Sequence, residues 1–274
     1  MMSSMYSGIT GLNACTQRMA VIGDNIANVN TTAYKTTELS FESLINQSVG
    51  GYTGQEIGGG VLMGDLRYDW NQGTIQRTSN PYDLAMAGNG YFGVVDDPTN
   101  TDSTKGDYYT RDGQFSFQRN PYDSGDTDYY LMTDSGKFVL GANGPIKYTP
   151  GSPPEFSSIK VDSDGKFYGI LSADGVRKDF DQIKIYNPND NSVMAKTNNN
   201  LYVKTTDETL DPINSDVPGA NGMGAVETSS LEMSNVDIAK EFVNMITAQR
   251  AFSANSKVIT TSDEILQELV NIKR

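Results

Sequence analysis

The sequence predicts an α+β fold in which long N- and C-terminal helices pair as a coiled-coil-like base, with an inserted all-β body of short antiparallel strands. All ten prolines lie between Pro81 and Pro218, and no glycine follows Gly224. Because proline breaks helix interiors and glycine weakens them, both ends of the 274-residue chain suit helices and its centre suits strands and turns. The apolar spacing agrees, since it changes from helical at the ends to alternating in the middle.

The N-terminal helix is predicted from two sets of residues that are spaced by seven. The sets are Met5, Leu12, Met19 and Ile26, and Gly8, Cys15, Ile22 and Val29. This spacing is typical of a helix that packs against another helix. Cys15 lies inside the seam, which favours a small buried side chain over a reactive thiol. The Asn- and Thr-rich stretch 25–32 predicts the helix end, because such side chains compete for backbone hydrogen bonds.

Strand-like runs rich in Tyr, Phe, Val and Ile fill the middle of the chain. They are residues 60–70, 84–87, 91–95, 108–111, 115–118, 129–132, 138–140, 159–161, 167–171, 183–186 and 201–203. Asp-Gly pairs at 112–113, 164–165 and 174–175 predict tight hairpin turns, because these residues tolerate positive φ. Asn89, between two glycines, is interpreted in the same way. Many short strands with frequent turns predict a sandwich-like or barrel-like body.

The C-terminal helix is predicted over residues 235–270, with Ser234 as its N-cap and Asp237 in its charged first turn. Its apolar stripe repeats every seven residues and widens late in the helix. The stripe is Ile238, Met245, Phe252, Ile259 and Leu266, and the widening residues are Val258, Ile265 and Ile272. Such a stripe must be buried. Either the two terminal helices cover each other within one chain, or the pair also offers apolar surface to neighbouring subunits; periodicity leaves both hypotheses open.

Composition excludes most catalytic and cofactor chemistry. With no histidine and one cysteine, the chain has no Ser-His-Asp or Cys-His site, no imidazole ligand for zinc, no internal disulfide and no iron–sulfur cluster. The formal charge is −13, and residues 36–230 carry it with 27 acidic and 14 basic side chains, which argues against nucleic acid and anionic membranes as partners. No apolar run approaches the roughly 20 residues that span a bilayer, and residues 1–8 lack the features of a signal peptide.

Three local patterns that suggest ligands are better explained without them. The glycines at 58–60 are not followed by the Gly-Lys-Ser/Thr of a phosphate loop. Residues 162–165 (DSDG) begin like a calcium loop but lack its closing Glu, which favours a hairpin turn. Carboxylate pairs such as Asp179 with Asp181, or Asp126 with Asp128, arise by composition among 34 acids, and they leave a secreted carbohydrate-active β protein as a remote alternative. We predict no catalytic, cofactor-binding or metal-binding residues and no enzymatic activity.

Seven segments at the ends of the chain and three in its centre form a recognisable signature. The terminal segments are 7–14 (SGITGLNA), 19–35 (MAVIGDNIANVNTTAYK), 231–237 (LEMSNVD), 241–243 (EFV), 245–246 (MI), 248–252 (AQRAF) and 255–257 (NSK). They resemble the terminal signatures of the bacterial flagellar rod and hook proteins. In the centre, 80–86 (NPYDLAM), 90–92 (GYF) and 109–113 (YTRDG) resemble the family's β core, in the family's order. The chain departs from the family at Ala33, where glycine is usual; a positive-φ turn there would strain alanine.

The resemblance implies an axial component of the flagellum. Residues 1–35 with 231–274 would form the helical assembly domain around the export channel, 36–80 with 212–230 a connecting region and part of the β core, and 81–211 an outer β-rich domain. The residues expected at the assembly interface are Met5, Leu12, Cys15, Met19, Ile22, Ile26, Val29, Ile238, Phe242, Met245, Phe252, Ile259 and Leu266.

The implied partners are further copies of the chain, other axial proteins (rod and hook–filament junction proteins, and the hook cap during assembly) and the flagellar type III export apparatus. The implied location is the hook-basal body, periplasmic or extracellular, reached without a cleaved signal peptide. Residues 259–274 most resemble the short hook proteins, which favours the hook, a universal joint that transmits motor torque. The chain length is nearer the distal rod protein, the drive shaft, which is the alternative.

Overall fold

The computed structural model describes residues 2–48, 56–99, 106–121, 127–149, 156–162, 164–171, 176–205 and 213–272. The described part begins with helix α1 (Met2–Ala27) and ends with helix α2 (Ile238–Ile272). Between them lie strands whose described pairings are antiparallel. The predicted α+β class with helical ends and an all-β centre is therefore confirmed, and the coiled-coil-like character of the helix pair stays a prediction.

The strands are short, apart from the first two. They are β1 (Thr37–Ser48), β2 (Glu56–Tyr68), β3 (Ile75–Arg77), β4 (Leu84–Ala87), β5 (Tyr91–Val95), β6 (Tyr108–Thr110), β7 (Phe115–Arg119), β8 (Tyr129–Thr133), β9 (Phe138–Gly141), β10 (Gly144–Pro145), β11 (Lys147–Tyr148), β12 (Phe156–Val161), β13 (Lys166–Leu171), β14 (Arg177–Gln182), β15 (Ile185–Pro188), β16 (Met194–Lys196), β17 (Leu201–Lys204), β18 (Ile213–Asp216), β19 (Ala225–Thr228) and β20 (Ser230–Glu232). The predicted runs miss β1 and β14, because TELSFESLINQS and RKDFDQ are mainly polar. They also miss the strands of two to four residues β3, β10, β11, β16, β18, β19 and β20.

The chain divides into two compact units. Unit 1 comprises Met1–Asn30, Lys35–Asn71 and Asn235–Arg274, and unit 2 comprises Thr31–Tyr34 and Gln72–Ser234. Unit 1 therefore holds both long helices and the β1–β2 ribbon, and unit 2 holds the other strands. Each unit is assembled from segments that are distant in sequence.

In unit 1, α1 and α2 pack antiparallel and very close together. The hydroxyls of Ser4 and Ser262 are 3.5 Å apart. A Cβ on Gly8 would lie 2.9 Å from Ile259 Cγ1, and a Cβ on Gly11 would lie 2.7 Å from the amide nitrogen of Asn255. The helices can approach this closely only because α1 has glycine at the contact.

The β1–β2 ribbon is a second element of unit 1. The β1–β2 pairing has three register shifts, one between Leu39 and Phe41 and two around Ile45. The Val61 backbone N–H donates to the Thr10 hydroxyl of α1 at 3.3 Å, and a side chain at Gly60 would overlap that hydroxyl. An isolated two-stranded ribbon is marginally stable in water, so this attachment to α1 supports it.

Helix α2 begins three residues later than predicted. The Asp237 carboxylate accepts from the backbone N–H groups of Ala239 (2.8 Å) and Lys240 (3.2 Å), so Asp237 is the N-cap and the assignment to Ser234 is wrong. The physical reason is Asn235, whose side chain holds other backbone segments and keeps residues 234–236 outside the helix. The helix is about 52 Å long at 1.5 Å per residue.

Unit 2 is built around one large sheet. The path of hydrogen-bonded strands is β11-β8-β9-β5-β6-β17-β16, with β7, β10, β15 and β18 joined beside it. A three-stranded sheet, β12-β13-β14, and the pairs β4–β19 and β3–β20 complete the described part. The core contains Leu84, Phe92, Phe115, Leu131 and Ile185, all essentially inaccessible to solvent. Strands β5 and β9 are buried at every position, so both faces of the sheet are covered there and the burial does not follow the predicted period of two.

The predicted turns have mixed outcomes. Gly165 has a φ of 70° in the β12–β13 hairpin, as predicted. Asp112-Gly113 is not a hairpin turn, because β6 and β7 each pair with other strands. The positive φ values near Asn89 belong to Gly88 and Gly90. The predicted turn at 174–175 lies outside the described residues.

Ala33 adopts the left-handed conformation that glycine favours. Its φ is 55°, and its backbone N–H donates to the Glu232 carbonyl at 2.8 Å. This conformation costs an L-residue roughly 1–2 kcal/mol. The positive-φ turn is thus retained with alanine in place, held by the hydrogen bond to the strand β20.

Candidate assembly surface

The line of contact on α2 is polar and small, not apolar. Glu241, Ala248 and Ser262 are its buried residues, and Asn255, at the same spacing of seven, is half-buried. We call these four residues the seam. Asn255 of the seam lies against Gly11, where a side chain on α1 would have no room, and Ser262 lies beside Ser4. The predicted stripe therefore supplies none of these four residues, although its Ile259 contacts Gly8 of α1.

Among the α1 residues predicted for assembly, one is buried. Ile22 is inaccessible, and Met5, Leu12, Cys15, Met19, Ile26 and Val29 are half-buried. The Asn255 amide lies 3.8 Å from Cys15 Sγ, so the thiol lies beside the seam. These side chains keep part of their apolar surface in water.

The α2 residues predicted for assembly are more accessible. Ile238, Phe242 and Phe252 are exposed, Phe252 by 38%, and Met245, Ile259 and Leu266 are half-buried. The chain thus brings the two helices together but leaves much of the α2 stripe uncovered. Of the two hypotheses for the stripe, the second, in which it also meets neighbouring subunits, accounts for this exposure.

Unit 1 has further exposed apolar side chains that are not among the residues predicted for assembly. They are Tyr6 and Ile9 on α1, Val243, Ile246, Leu269 and Val270 on α2, and Phe41, Leu62, Met63 and Leu66 on the ribbon. The sequence signal for Leu62, Met63 and Leu66 is the strand-like run 60–70, whereas Phe41 lies in the unpredicted strand β1. Val243 and Ile246 lie next to the predicted stripe. Exposed apolar surface of this extent is typical of an interaction site.

Asn235 joins three backbone segments of unit 1. Its carbonyl oxygen accepts from the Thr36 N–H at 2.7 Å and from the Thr36 hydroxyl at 2.8 Å. Its amide donates to the carbonyls of Asp69 (2.8 Å) and Asn71 (3.1 Å). The Lys35 ammonium donates to the same Asn71 carbonyl at 2.8 Å. We call this group the asparagine clasp.

Replacing Asn235 with alanine should destabilise unit 1 by about 3 kcal/mol. The substitution removes four hydrogen bonds and leaves the buried Thr36 N–H without its acceptor. Urea unfolding and faster amide exchange at Thr36 measure the effect. Asn13→Ala, an exposed site on α1, is the matched control and should change stability by less than about 0.5 kcal/mol. Equal effects of the two substitutions would contradict the clasp.

Two segments of the sequence signature meet in the interior of unit 2. Arg111 Nη1 lies 3.6 Å from Glu232 Oε2, and both side chains are almost fully buried. Arg111 also donates to the Gly88 carbonyl at 3.1 Å and lies over the Tyr91 ring. The Gly73 N–H donates to Glu232 at 2.9 Å. Burial raises the pKa of Tyr91 to about 12. These charged residues therefore have a structural role in joining β20 to the sheet.

Unit 2 also has a polar cavity of about 250 Å³, lined by Thr, Asn and Asp side chains that include Thr32, Asp112, Asp134 and Asn200. Burial raises the pKa of the Asp112 carboxyl, and the charges of Asp134 and Asp83 act in the same direction. Among the described residues, no group of three or more His, Cys, Asp or Glu side chains could hold a metal ion. The cavity lining thus supplies hydroxyl, amide and carboxyl groups for hydrogen bonding.

Asp112→Asn should stabilise unit 2 at pH 7. Because folding raises this pKa above its unfolded value, the ionised carboxyl costs stability at neutral pH, and the cost disappears as pH falls below about 4. Urea unfolding should show a stabilising effect at pH 7 that shrinks toward pH 4. Asp164→Asn, at an exposed turn of the same unit, is the control. If the difference in unfolding free energy between Asp112→Asn and the wild type grew as the pH fell, the raised pKa of Asp112 would be contradicted.

In the described chain, neither long helix is apolar enough over a sufficient length to cross a membrane.

Two family models match the chain. Residues 227–272 match the flagellar basal body rod FlgEFG protein C-terminal family, and residues 5–35 match the flagella basal body rod protein family. The chain is 38% identical to the flagellar basal-body rod protein FlgG of Bacillus subtilis (strain 168), with all of both chains covered. It is 33% identical to FlgG of Buchnera aphidicola subsp. Baizongia pistaciae (strain Bp), covering 98% of this chain and 99% of that relative. The flagellar hook protein FlgE of Brucella suis biovar 1 (strain 1330) is 25% identical, with 98% of each chain covered.

Proposed function

The chain belongs to the family of flagellar rod and hook proteins, and from that premise we propose that it is the distal rod protein, a subunit of the flagellar drive shaft. The chain is an axial structural subunit of the flagellum, because the proteins of its family are structural components of that organelle. Residues 259–274 favour the hook, but the relatives support the alternative, the distal rod, better.

The alignments carry the choice of rod over hook. The match to FlgG of Bacillus subtilis spans both chains in 285 aligned positions, close to the 274 residues of this chain. The match to FlgE of Brucella suis needs 403 aligned positions and has a lower identity of 25%. The hook relative therefore has long segments that this chain lacks, whereas the rod relatives do not.

The exposed apolar surface of unit 1 supports polymerisation. In the proposed shaft, the stripe on α2 and the half-buried residues of α1 pack against other copies of the chain and against other axial proteins. The acidic residues between 36 and 230 stay solvated and resist lateral aggregation. The subunits leave the cell through the flagellar type III export apparatus without a cleaved signal peptide.

Electron microscopy of hook-basal bodies tests the assignment. In a strain whose copy of this gene is deleted, we expect a truncated rod and no hook, because a shaft that grows outward cannot continue past a missing segment. Complementation with the intact gene should restore both. A complete rod that lacks only the hook would show that the chain is a hook subunit and would overturn the proposal.

A further inference from the structure

Helix α2 has two exposed patches that differ in position and charge. The amino patch consists of Phe242, Val243, Ile246, Arg250 and Lys257, all exposed. At 3.6 residues per turn, Phe242, Ile246 and Arg250 are spaced by four, and Val243, Arg250 and Lys257 by seven, so they share one side of the helix. This side is opposite the seam. The amino patch therefore points away from α1.

The carboxyl patch lies at the other end of α2. It consists of Glu264, Ile265, Glu268, Leu269 and Ile272, all exposed, Ile272 by 81%. Leu269 is the next residue of the seam, seven positions after Ser262, and yet it is 46% exposed. The reason is the length of α1. Ser4 already lies opposite Ser262, so α2 extends about two turns beyond the start of α1.

Both patches have exposed apolar side chains, and the charged side chains beside them have opposite signs. Arg250 and Lys257 flank the apolar residues of the amino patch, and Glu264 and Glu268 flank those of the carboxyl patch. Within the described chain, none of these four side chains makes an ion pair or a hydrogen bond. Paired across an interface, they would attract each other, whereas like charges facing each other would be repelled.

We propose that the carboxyl patch of one copy docks on the amino patch of a second copy. The contact joins two different surfaces, so a pair of copies keeps one free amino patch and one free carboxyl patch, and the contact can propagate along a filament. A self-complementary contact would instead close at a dimer. This inference rests on the proposed function, and it names the partner and the polarity of the α2 surface.

Charge reversal tests the pairing. The variant Arg250→Glu/Lys257→Glu places acidic patches opposite each other, and Glu264→Lys/Glu268→Lys places basic patches opposite each other. In sedimentation of the purified full chain, each should raise the concentration needed for polymerisation at least about tenfold at low salt, and less at 1 M salt, where charges are screened beyond about 3 Å. The chain with all four substitutions should polymerise nearly as the wild type does. Circular dichroism checks that every variant is folded.

Cross-linking tests the contact independently of charge. In a Cys15→Ala background, Ile246→Cys and Leu269→Cys lie about 35 Å apart on one helix, far beyond the reach of a disulfide within one chain. Oxidation should therefore give a ladder of linked chains. The pair Thr260→Cys/Leu269→Cys, with Thr260 outside both patches, should give dimers at most.

The outcomes separate this inference from the proposed function. If the wild type polymerises, but neither reversal weakens polymerisation and no ladder forms, the docking is wrong and the axial role stands. Reversals that weaken polymerisation without rescue by the fourfold variant also overturn the pairing. If the wild type does not polymerise under any condition, the docking is wrong, and the electron microscopy of the deletion strain still decides the axial role.

Discussion

Gly113→Ala should destabilise unit 2 by about 4 kcal/mol, the largest stability loss that we expect from one methyl group. A Cβ on Gly113 would overlap the carbonyl oxygen of Leu84 and lie 2.7 Å from its carbonyl carbon. The Leu84 N–H also donates to the Gly113 carbonyl at 3.1 Å. The two backbones must separate, which breaks this buried hydrogen bond and opens the core around Leu84; the two costs together are on the order of 4 kcal/mol.

Thermal unfolding followed by circular dichroism measures the effect. For a unit of this size, about 4 kcal/mol corresponds to a fall of roughly 10 °C in Tm. Gly23→Ala is the matched control, because a Cβ there meets nothing within 4 Å and the residue lies inside α1. That change should stabilise the helix by up to about 1 kcal/mol. A small effect at Gly113 would mean that residues 111–114 can move away from β4 without cost.

Gly113 also shows where sequence reasoning fails. The Asp-Gly pair predicts a hairpin turn because a dipeptide carries information only about the local backbone conformation. The structure uses this glycine for close approach to Leu84, a contact across 29 positions of the chain that no local pattern encodes. By contrast, Gly165 serves a local turn between adjacent strands, and its prediction is confirmed.

The ends of the chain were predictable in outline, and their contact line was not. Seven-residue spacing predicts two long helices and identifies the stripe, because a helix repeats its faces at that interval. The seam of Glu241, Ala248, Asn255 and Ser262 has the same spacing but no apolar signal. Asn255 in this line lies against Gly11 of α1, a contact between the two ends of the chain that no local pattern encodes. Likewise, Asn235 is a good residue for a helix start, and only the fold reveals that it holds Thr36.

Phe252→Asp should abolish assembly while leaving the chain folded. Phe252 lies in the middle of the stripe on α2 and is 38% exposed in the single chain, so an aspartate there can remain hydrated. In a polymer that buries the stripe, the same carboxylate would be dehydrated without a partner, at a cost of several kcal/mol. A cost of about 3 kcal/mol raises the concentration needed for polymerisation by more than a hundredfold. Sedimentation of the purified chain and motility of a complemented strain measure this loss.

Two controls separate burial of Phe252 from the effect of an added charge. Phe252→Leu keeps the site apolar and should assemble nearly as the wild type does. Thr260→Asp adds the same charge at an exposed position of α2 outside both patches, and it should also assemble. If Phe252→Asp assembles normally, the stripe is not buried between subunits. If Thr260→Asp prevents assembly as completely as Phe252→Asp does, the added charge on α2 is the cause. Burial of Phe252 is supported only if the same charge prevents assembly at position 252 and is harmless at position 260.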